Sequence, residues 1–353
     1  MAEFLALGMT HYPMLAGTDE HMAGLLRWTL QDPDIPDEVK DPACWSDQAQ
    51  AEWGDDQGRS AAAGHRAALV DNLARVRADL DAFEPDVVVV WGDDQYENFR
   101  EEVIPPFCVL AYDDLQVPAF EVMNERGSPN VWDKPENFEI TLYGDADRSK
   151  GLADDMINMG FDMAYSYKKR PGAHFPHAIL NTQLFLDYDH AGAEMSYKFL
   201  PMTVNCYGQH AIARKGGLAR FAEIADEVLD PAGPTPRRCF QVGAAVARHF
   251  KDQDLKVAMV ASSSWSHAFL TDKLWHIRPD TEADQRMYQA LLNDDYDWMK
   301  NYTSHQVVDA GQHEILNWFC MLGAVEELGL TRQWSDIVAT EVFNSNKVFA
   351  TYQ

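Results

Sequence analysis

Ionisable and amide side chains recur in this chain just beyond short apolar runs. His11 follows residues 4–9, and Asp93, Asp94 and Gln95 follow 87–91. His174 and His177 follow 161–167, and Cys206, Gln209 and His210 follow 199–205. His267 follows 257–262, within Ser262-Ser-Ser-Trp-Ser-His267. Imidazoles and carboxylates brought together can hold a divalent cation and move protons near neutral pH. Open α/β sheets gather ligands beyond the carboxyl ends of their strands, so five such coincidences predict one shared site. Each residue also has a plain structural role. Asp93 and Asp94 suit turns, and a lone histidine suits a hydrogen-bonded loop. Glu314 suits the first turn of a helix, with Asp309 and Gln312 as its capping box.

The elements that must position these groups can be read from periodicity. The apolar runs 4–9, 87–91, 161–167, 199–205 and 257–262 predict strands. Ser60 reads as an N-cap, followed by Leu69, Leu73, Val76, Leu80 and Phe83 at helical spacing, with Pro85 closing the helix. Further helices are predicted near 150–159, 218–229, 239–250, 282–302 and 312–328. This alternation predicts an α/β fold, a central and largely parallel sheet covered by helices on both faces. The chain, 1–353, reads as a single large domain with an acidic insertion at 15–60 that carries Trp28, Trp45 and Trp53, and a mainly helical C-terminal third. The Pro/Gly-rich stretch 230–236 is too short to mark a boundary.

Composition excludes several classes. A formal charge of −27 repels phosphate backbones and anionic lipid, so neither nucleic acid nor membrane is an expected partner. No apolar run is long enough to span a bilayer, and Met1-Ala2-Glu3-Phe4 lacks the features of a signal peptide. The five cysteines are scattered and form no CxxC pair, which predicts reduced, mostly buried thiols and a cytoplasmic address. A homo-oligomer is the default assembly. The tryptophans of 28–53 are read as packing the insertion, and Lys168, Lys169 and Arg170 as solvated.

The segment from Phe83-Glu-Pro-Asp-Val-Val-Val-Val-Trp-Gly-Asp-Asp-Gln95 to Phe99, followed by Ile104-Pro-Pro-Phe-Cys108, resembles the type III extradiol ring-cleavage dioxygenases. Gly8-Met-Thr-His-Tyr-Pro13 resembles that superfamily's N-terminal ligand strand end. Trp265-Ser-His267 is similar to its catalytic Ser-His segment, and His313-Glu-Ile315 with Trp318 to the helix that supplies its carboxylate. These landmarks occur in family order across nearly the whole chain.

The resemblance implies that His11 and Glu314 are metal ligands and that His267 moves protons. His174 matches a second active-site histidine, with His177 as the alternative. Tyr12, Trp265 and His210 are expected on the substrate side. The implied cofactor is Fe(II), with Mn(II) or no metal as alternatives, and the implied partners are a small aromatic substrate and O2. Residue 95 departs from the pattern, because a ligand histidine is expected where Gln95 stands. Three consequences are open: Gln95 or Asp94 supplies oxygen to the metal, His65 or His210 fills the gap, or the metal is lost. The implied function is extradiol opening of a catechol-like ring. A hydrolase or lyase of a phenolic compound on the same scaffold is the alternative, and a non-catalytic binding subunit the second.

Overall fold

A computed structural model describes all residues 1–353. Ten strands form: β1 Glu3–Met9, β2 Val87–Asp93, β3 Phe107–Leu110, β4 Leu115–Pro118, β5 Glu139–Leu142, β6 Ala164–Ser166, β7 Phe199–Val204, β8 Lys256–Ser262, β9 Arg332–Val338 and β10 Lys347–Tyr352. Eight of them make one sheet in the order β6-β3-β7-β2-β8-β1-β10-β9, while β4 and β5 pair separately. The four central strands β7, β2, β8 and β1 are mutually parallel, whereas β10 runs antiparallel to β1 and β3 antiparallel to β7. Their carboxyl ends therefore open on one edge.

The main helices are α1 Arg59–Phe83, α2 Ala146–Asn158, α3 His177–Leu186, α4 Pro236–Phe250, α5 Thr281–Leu292 and α6 Ile315–Leu328. Strand alternation sends Val87, Val89 and Trp91 into one core with Leu152, Val246 and Trp318 of α2, α4 and α6. Val88 and Val90 enter the other core with Leu69 and Leu73 of α1 and Ile179 of α3. One sheet buried on both faces makes this a single α/β domain. Gly8 lets α6 press on β1: a Cβ there would lie 2.0 Å from the Trp318 ring. No helix is long and apolar enough to cross a membrane.

Several elements differ from the sequence reading. The strand expected at 161–167 shrinks to the edge strand β6, where Tyr165 and Tyr167 are exposed and only β3 offers a partner. Of the helix expected at 218–229 only Phe221–Ile224 forms, because Val228 and Leu229 find nothing to pack against. Ser60 lies inside α1; Gly58 is the N-cap, and Asp56 accepts the Ser60 N–H at 2.8 Å. The last third carries the helices expected near 282–302 and 312–328, and also the unexpected strands β9 and β10, which complete the sheet. Fully buried β10 carries no alternation that would distinguish it from a helical turn. Residues 19–53 fold as short helices, and Trp45 stacks edge-on against Trp53 at 5.5 Å, inside the core.

Candidate metal and proton-transfer centre

Strand register begins the site. β1 and β8 pair in parallel with Met9 opposite Ser262, so the residues just beyond them meet. His11 Nδ1–H donates to the Ser262 carbonyl at 2.8 Å, which leaves Nε2 as the atom with a free lone pair. Asn181 of α3 donates to the His11 carbonyl at 2.9 Å and holds the backbone from the opposite side. The ring is 1% exposed. Burial, and then the neighbouring His177, lower its pKa well below the ordinary imidazole value.

Asp93 is the last residue of β2 and is fully buried. Its Oδ1 accepts a long bond from Asn317 at 3.3 Å and lies 3.7 Å from His11 Nε2, while Oδ2 has no partner. Burial pushes this carboxyl up to about 6.

Glu314 is the N-cap residue of α6. Its two oxygens have different fates. Oε1 accepts from Gln95 Nε2 at 2.9 Å and from the Tyr207 hydroxyl at 3.0 Å, and His267 Nε2 lies 3.3 Å away. Oε2 has no hydrogen-bond partner and sits 3.3 Å from His11 Nε2. Burial, then the charge of Asp93, raise the Glu314 pKa well above the carboxylate range. Ligand atoms of His11, Asp93 and Glu314 all lie within 4.8 Å of one another. Two buried carboxylates facing an imidazole, with Asp93 Oδ2 and Glu314 Oε2 unpartnered, form an N,O,O donor set that fits a divalent cation.

Two further imidazoles flank this triad. His177, the first residue of α3, packs edge-to-face on His11 with ring centroids 4.9 Å apart. Glu97 accepts both its backbone N–H and its Nδ1–H, each at 3.0 Å. Desolvation opposes a charge on His177, but the charge and hydrogen bond of Glu97, backed by Asp93 and Glu314, outweigh it and raise the pKa to about 9. His267 is held by its own N–H on the Gly311 carbonyl at 2.9 Å and by a bridge to Ser345. Below it, Asp284 accepts from Ser266 N, Gln312 Nε2 and Asn346 Nδ2 and ties three loops together. Burial pushes His267 down to about 3, so it stands as a neutral base beside an imidazolium.

A family model described as the catalytic LigB subunit of aromatic ring-opening dioxygenase matches residues 219–351. A Pseudomonas putida protein named 2,3-dihydroxyphenylpropionate/2,3-dihydroxicinnamic acid 1,2-dioxygenase 2 is 26% identical over 228 residues, covering 64% of this chain and 56% of the relative. Proteins of the same enzyme name from Rhodococcus globerulus (26% over 195 residues; 55% of this chain, 47% of the relative) and Comamonas testosteroni (28% over 193 residues; 53% and 50%) are also similar. Residues 219–351 are thus similar to the catalytic LigB subunit of ring-opening dioxygenases, and a larger part of the chain is similar to extradiol dioxygenases. The chain spans about half the length of the curated relatives it matches.

Against the LigB-type pattern, the structure brings together His11, Glu314, His267, His177 and Gln95, and adds Asp93, Tyr207, Asn317 and Glu97. It does not bring in Asp94. That side chain turns back to accept the backbone N–H groups of Glu97, Asn98 and Phe99 and shapes the turn after β2. His174 is hydrogen-bonded to Glu121 at 2.9 Å, beside Glu125, and of the two histidines it is His177 that packs on His11. His210 is committed to Glu227 at 2.7 Å, within a cluster that also holds Arg214 and Asp272. Trp265 is a core residue packed edge-on against Trp318 at 5.5 Å. Tyr12 is buried with its hydroxyl on the Met22 carbonyl and its ring 3.8 Å under the Lys347 ammonium. His65 accepts from Lys347 at 3.1 Å and stacks on Phe343, so neither it nor His210 fills the gap at residue 95. The expected capping box is absent, because Gln312 is buried on Asp284 and Asp309 pairs with Lys273. The sequence signal for Asp93 was its place at a strand end; Tyr207 and Asn317 carried none beyond proximity to β7 and Glu314.

Proposed function

We propose that this chain catalyses metal-dependent, O2-consuming opening of a catechol-like aromatic ring. The observation that carries the reading is the convergence of His11, Asp93 and Glu314, from three distant parts of the chain, between a neutral and a charged histidine. The similarity to ring-opening dioxygenases supports it. His11, Asp93 and Glu314 are the residues that would hold Fe(II) or Mn(II). When bound, such an ion supplies adjacent coordination positions for the two ring oxygens and O2 and a route for electron density between them.

The chain's own residues account for the proton movements. His267, neutral because it is buried, is placed to accept a hydrogen bond from a ring hydroxyl and orient it. His177, held charged by Glu97, offers a proton and a positive field on the His11 side, where negative charge builds as oxygen is reduced. Gln95 and Tyr207 hold Glu314 in place while this happens. The centre is closed, with His11, Asp93, His267 and Glu314 all at most 5% exposed. The backbone at Gly216 packs directly on Gln95. A small surface recess lies nearby, lined by Asp94, Tyr96, Phe99, Asn205 and Ala211.

The test is O2 uptake by anaerobically purified, Fe(II)- or Mn(II)-loaded protein with a panel of catechols, and ring opening followed by the near-ultraviolet absorbance of the product. Metal-loaded protein that consumes no O2 with any catechol would refute the reading. Turnover of a phenolic substrate without O2 would instead assign hydrolase or lyase chemistry to the same centre.

A further inference from the structure

We propose that Asp93 has taken over the ligand role that the resemblance gives to residue 95, and that the resulting one-nitrogen, two-oxygen centre selects a hard divalent cation of the Mn(II) class. Gln95 is then a positioning residue that fixes Glu314. This deepens the functional reading and rests on its metal dependence.

Asp93 ends β2 and Gln95 lies two residues beyond it, yet both side chains reach Glu314: Gln95 Nε2 donates to Oε1 at 2.9 Å, and ligand atoms of Asp93 and Glu314 lie within 4.8 Å of each other. A ligand can therefore move between them without any change of fold. The Gln95 amide presents its NH2 to the centre, donating to Glu314 Oε1 at 2.9 Å beside the Tyr207 hydroxyl. The reverse orientation would set an amide oxygen against a carboxylate oxygen, so the donor assignment is the one the surroundings allow. An NH2 group has no lone pair for a cation. Gln95 is also pinned from behind: Gly216, at φ 61°, packs so closely that a Cβ there would fall 2.7 Å from Gln95 Cβ.

Each member of the triad is meanwhile steadied through one atom by the protein. Ser262 holds His11 through Nδ1, Asn317 holds Asp93 through Oδ1, and Gln95 with Tyr207 hold Glu314 through Oε1. His11 Nε2, Asp93 Oδ2 and Glu314 Oε2 are left without hydrogen bonds, and for both carboxylates the omission is inside a fully buried site. That is the arrangement by which outer hydrogen bonds orient metal ligands. Two carboxylates cancel the charge of a divalent ion. Replacing an imidazole by a carboxylate makes the donor set harder, which narrows the usual advantage of Zn(II) over Mn(II).

The experiment titrates the full-length, metal-stripped protein with Mn(II), reading free Mn(II) by its electron paramagnetic resonance signal, and repeats the titration against Zn(II). Asp93→Ala should weaken Mn(II) binding by at least ~100-fold, and Asp93→Asn, which keeps the shape, by at least ~30-fold, whereas Gln95→Leu should cost no more than ~10-fold, the size of an outer-sphere effect. Asp93→His should shift the Zn(II)/Mn(II) ratio toward Zn(II) by at least ~10-fold. Loss of Mn(II) on Gln95→Leu with retention in both Asp93→Ala and Asp93→Asn would overturn the proposal and restore residue 95 as a ligand. Failure of the wild-type protein to bind either Mn(II) or Fe(II) would overturn it together with the metal-dependent reading. Tight, Asp93-dependent Mn(II) binding without O2 uptake on catechols would sustain the ligand assignment and refute ring opening alone.

Discussion

Replacing Asp93 by asparagine should stabilise the metal-free protein, and a divalent cation should remove most of that advantage. In the metal-free protein the Asp93 carboxyl is raised from 3.8 to about 6, chiefly by burial. Its contribution is therefore fully present below pH 3.8 and lost as pH rises through about 6. A shift of about two units corresponds to about 3 kcal/mol of destabilisation at neutral pH. An asparagine keeps an oxygen for the Asn317 bond and removes both the buried charge and its repulsion of Glu314. With an unfolding entropy of about 2.1 cal/mol/K per residue, 353 residues give about 0.7 kcal/mol/K, so the variant should melt about 4 °C higher in chelator at pH 7.5. The gain should vanish by about pH 4. With Mn(II) at a hundred times its wild-type Kd, the wild type should gain about 2.7 kcal/mol, most of which the variant forgoes. Thermal denaturation of both proteins from pH 4 to 8, in chelator and in Mn(II), measures all of this. A variant less stable than wild type in chelator at pH 7.5, or equally stabilised by Mn(II), would refute the reasoning.

Three other outcomes can be checked. His177 is held at about 9 against an ordinary 6.5, so its stabilisation is full below pH 6.5 and lost as pH rises through about 9; Glu97→Gln should remove that slope from pH-dependent unfolding and lower turnover on a catechol by at least ~100-fold. Asp284→Ala strands the Ser266 N–H and the Gln312 and Asn346 amides in a fully buried place, and should cost more than about 3 kcal/mol in urea unfolding. Gly8→Ala sets a methyl 2.0 Å from the Trp318 ring, and should cost about 3 kcal/mol or abolish soluble expression.

Much of this centre was legible in the chain because strand ends are legible. His11 and His267 each follow a buried apolar run, and Glu314 precedes a strongly apolar helix. What was not legible is parity. The run Val87–Trp91 announces a strand but not that pairing with β7 continues to Asp93, and that continuation decides that Asp93 faces the centre while Asp94 turns back to cap a loop. His174 and His177 stand three residues apart, and only the start of α3 decides which one meets His11. Trp265 and His210 illustrate the opposite error. Both sit next to catalytic-looking motifs, yet one packs on Trp318 and the other bonds Glu227, partners that no local motif announces. The β9–β10 pair was invisible for a related reason, since β10 is buried at every position and has no polar face to betray its period.

The neighbours of β1 carry a consequence for how the molecule comes into being. The strand leading to His11 is made first, but in the sheet it lies between β8 and β10, which are made some 250 and 340 residues later. Pairings of such long range are slow to form and impossible on a half-finished chain. Until synthesis has reached the 340s, His11 has only part of its frame and Glu314 no settled neighbour across the sheet. An ion of the proposed centre captured earlier would meet isolated, mobile donors and be held weakly, so on that proposal the cation is acquired only once β8 and β10 have closed on β1.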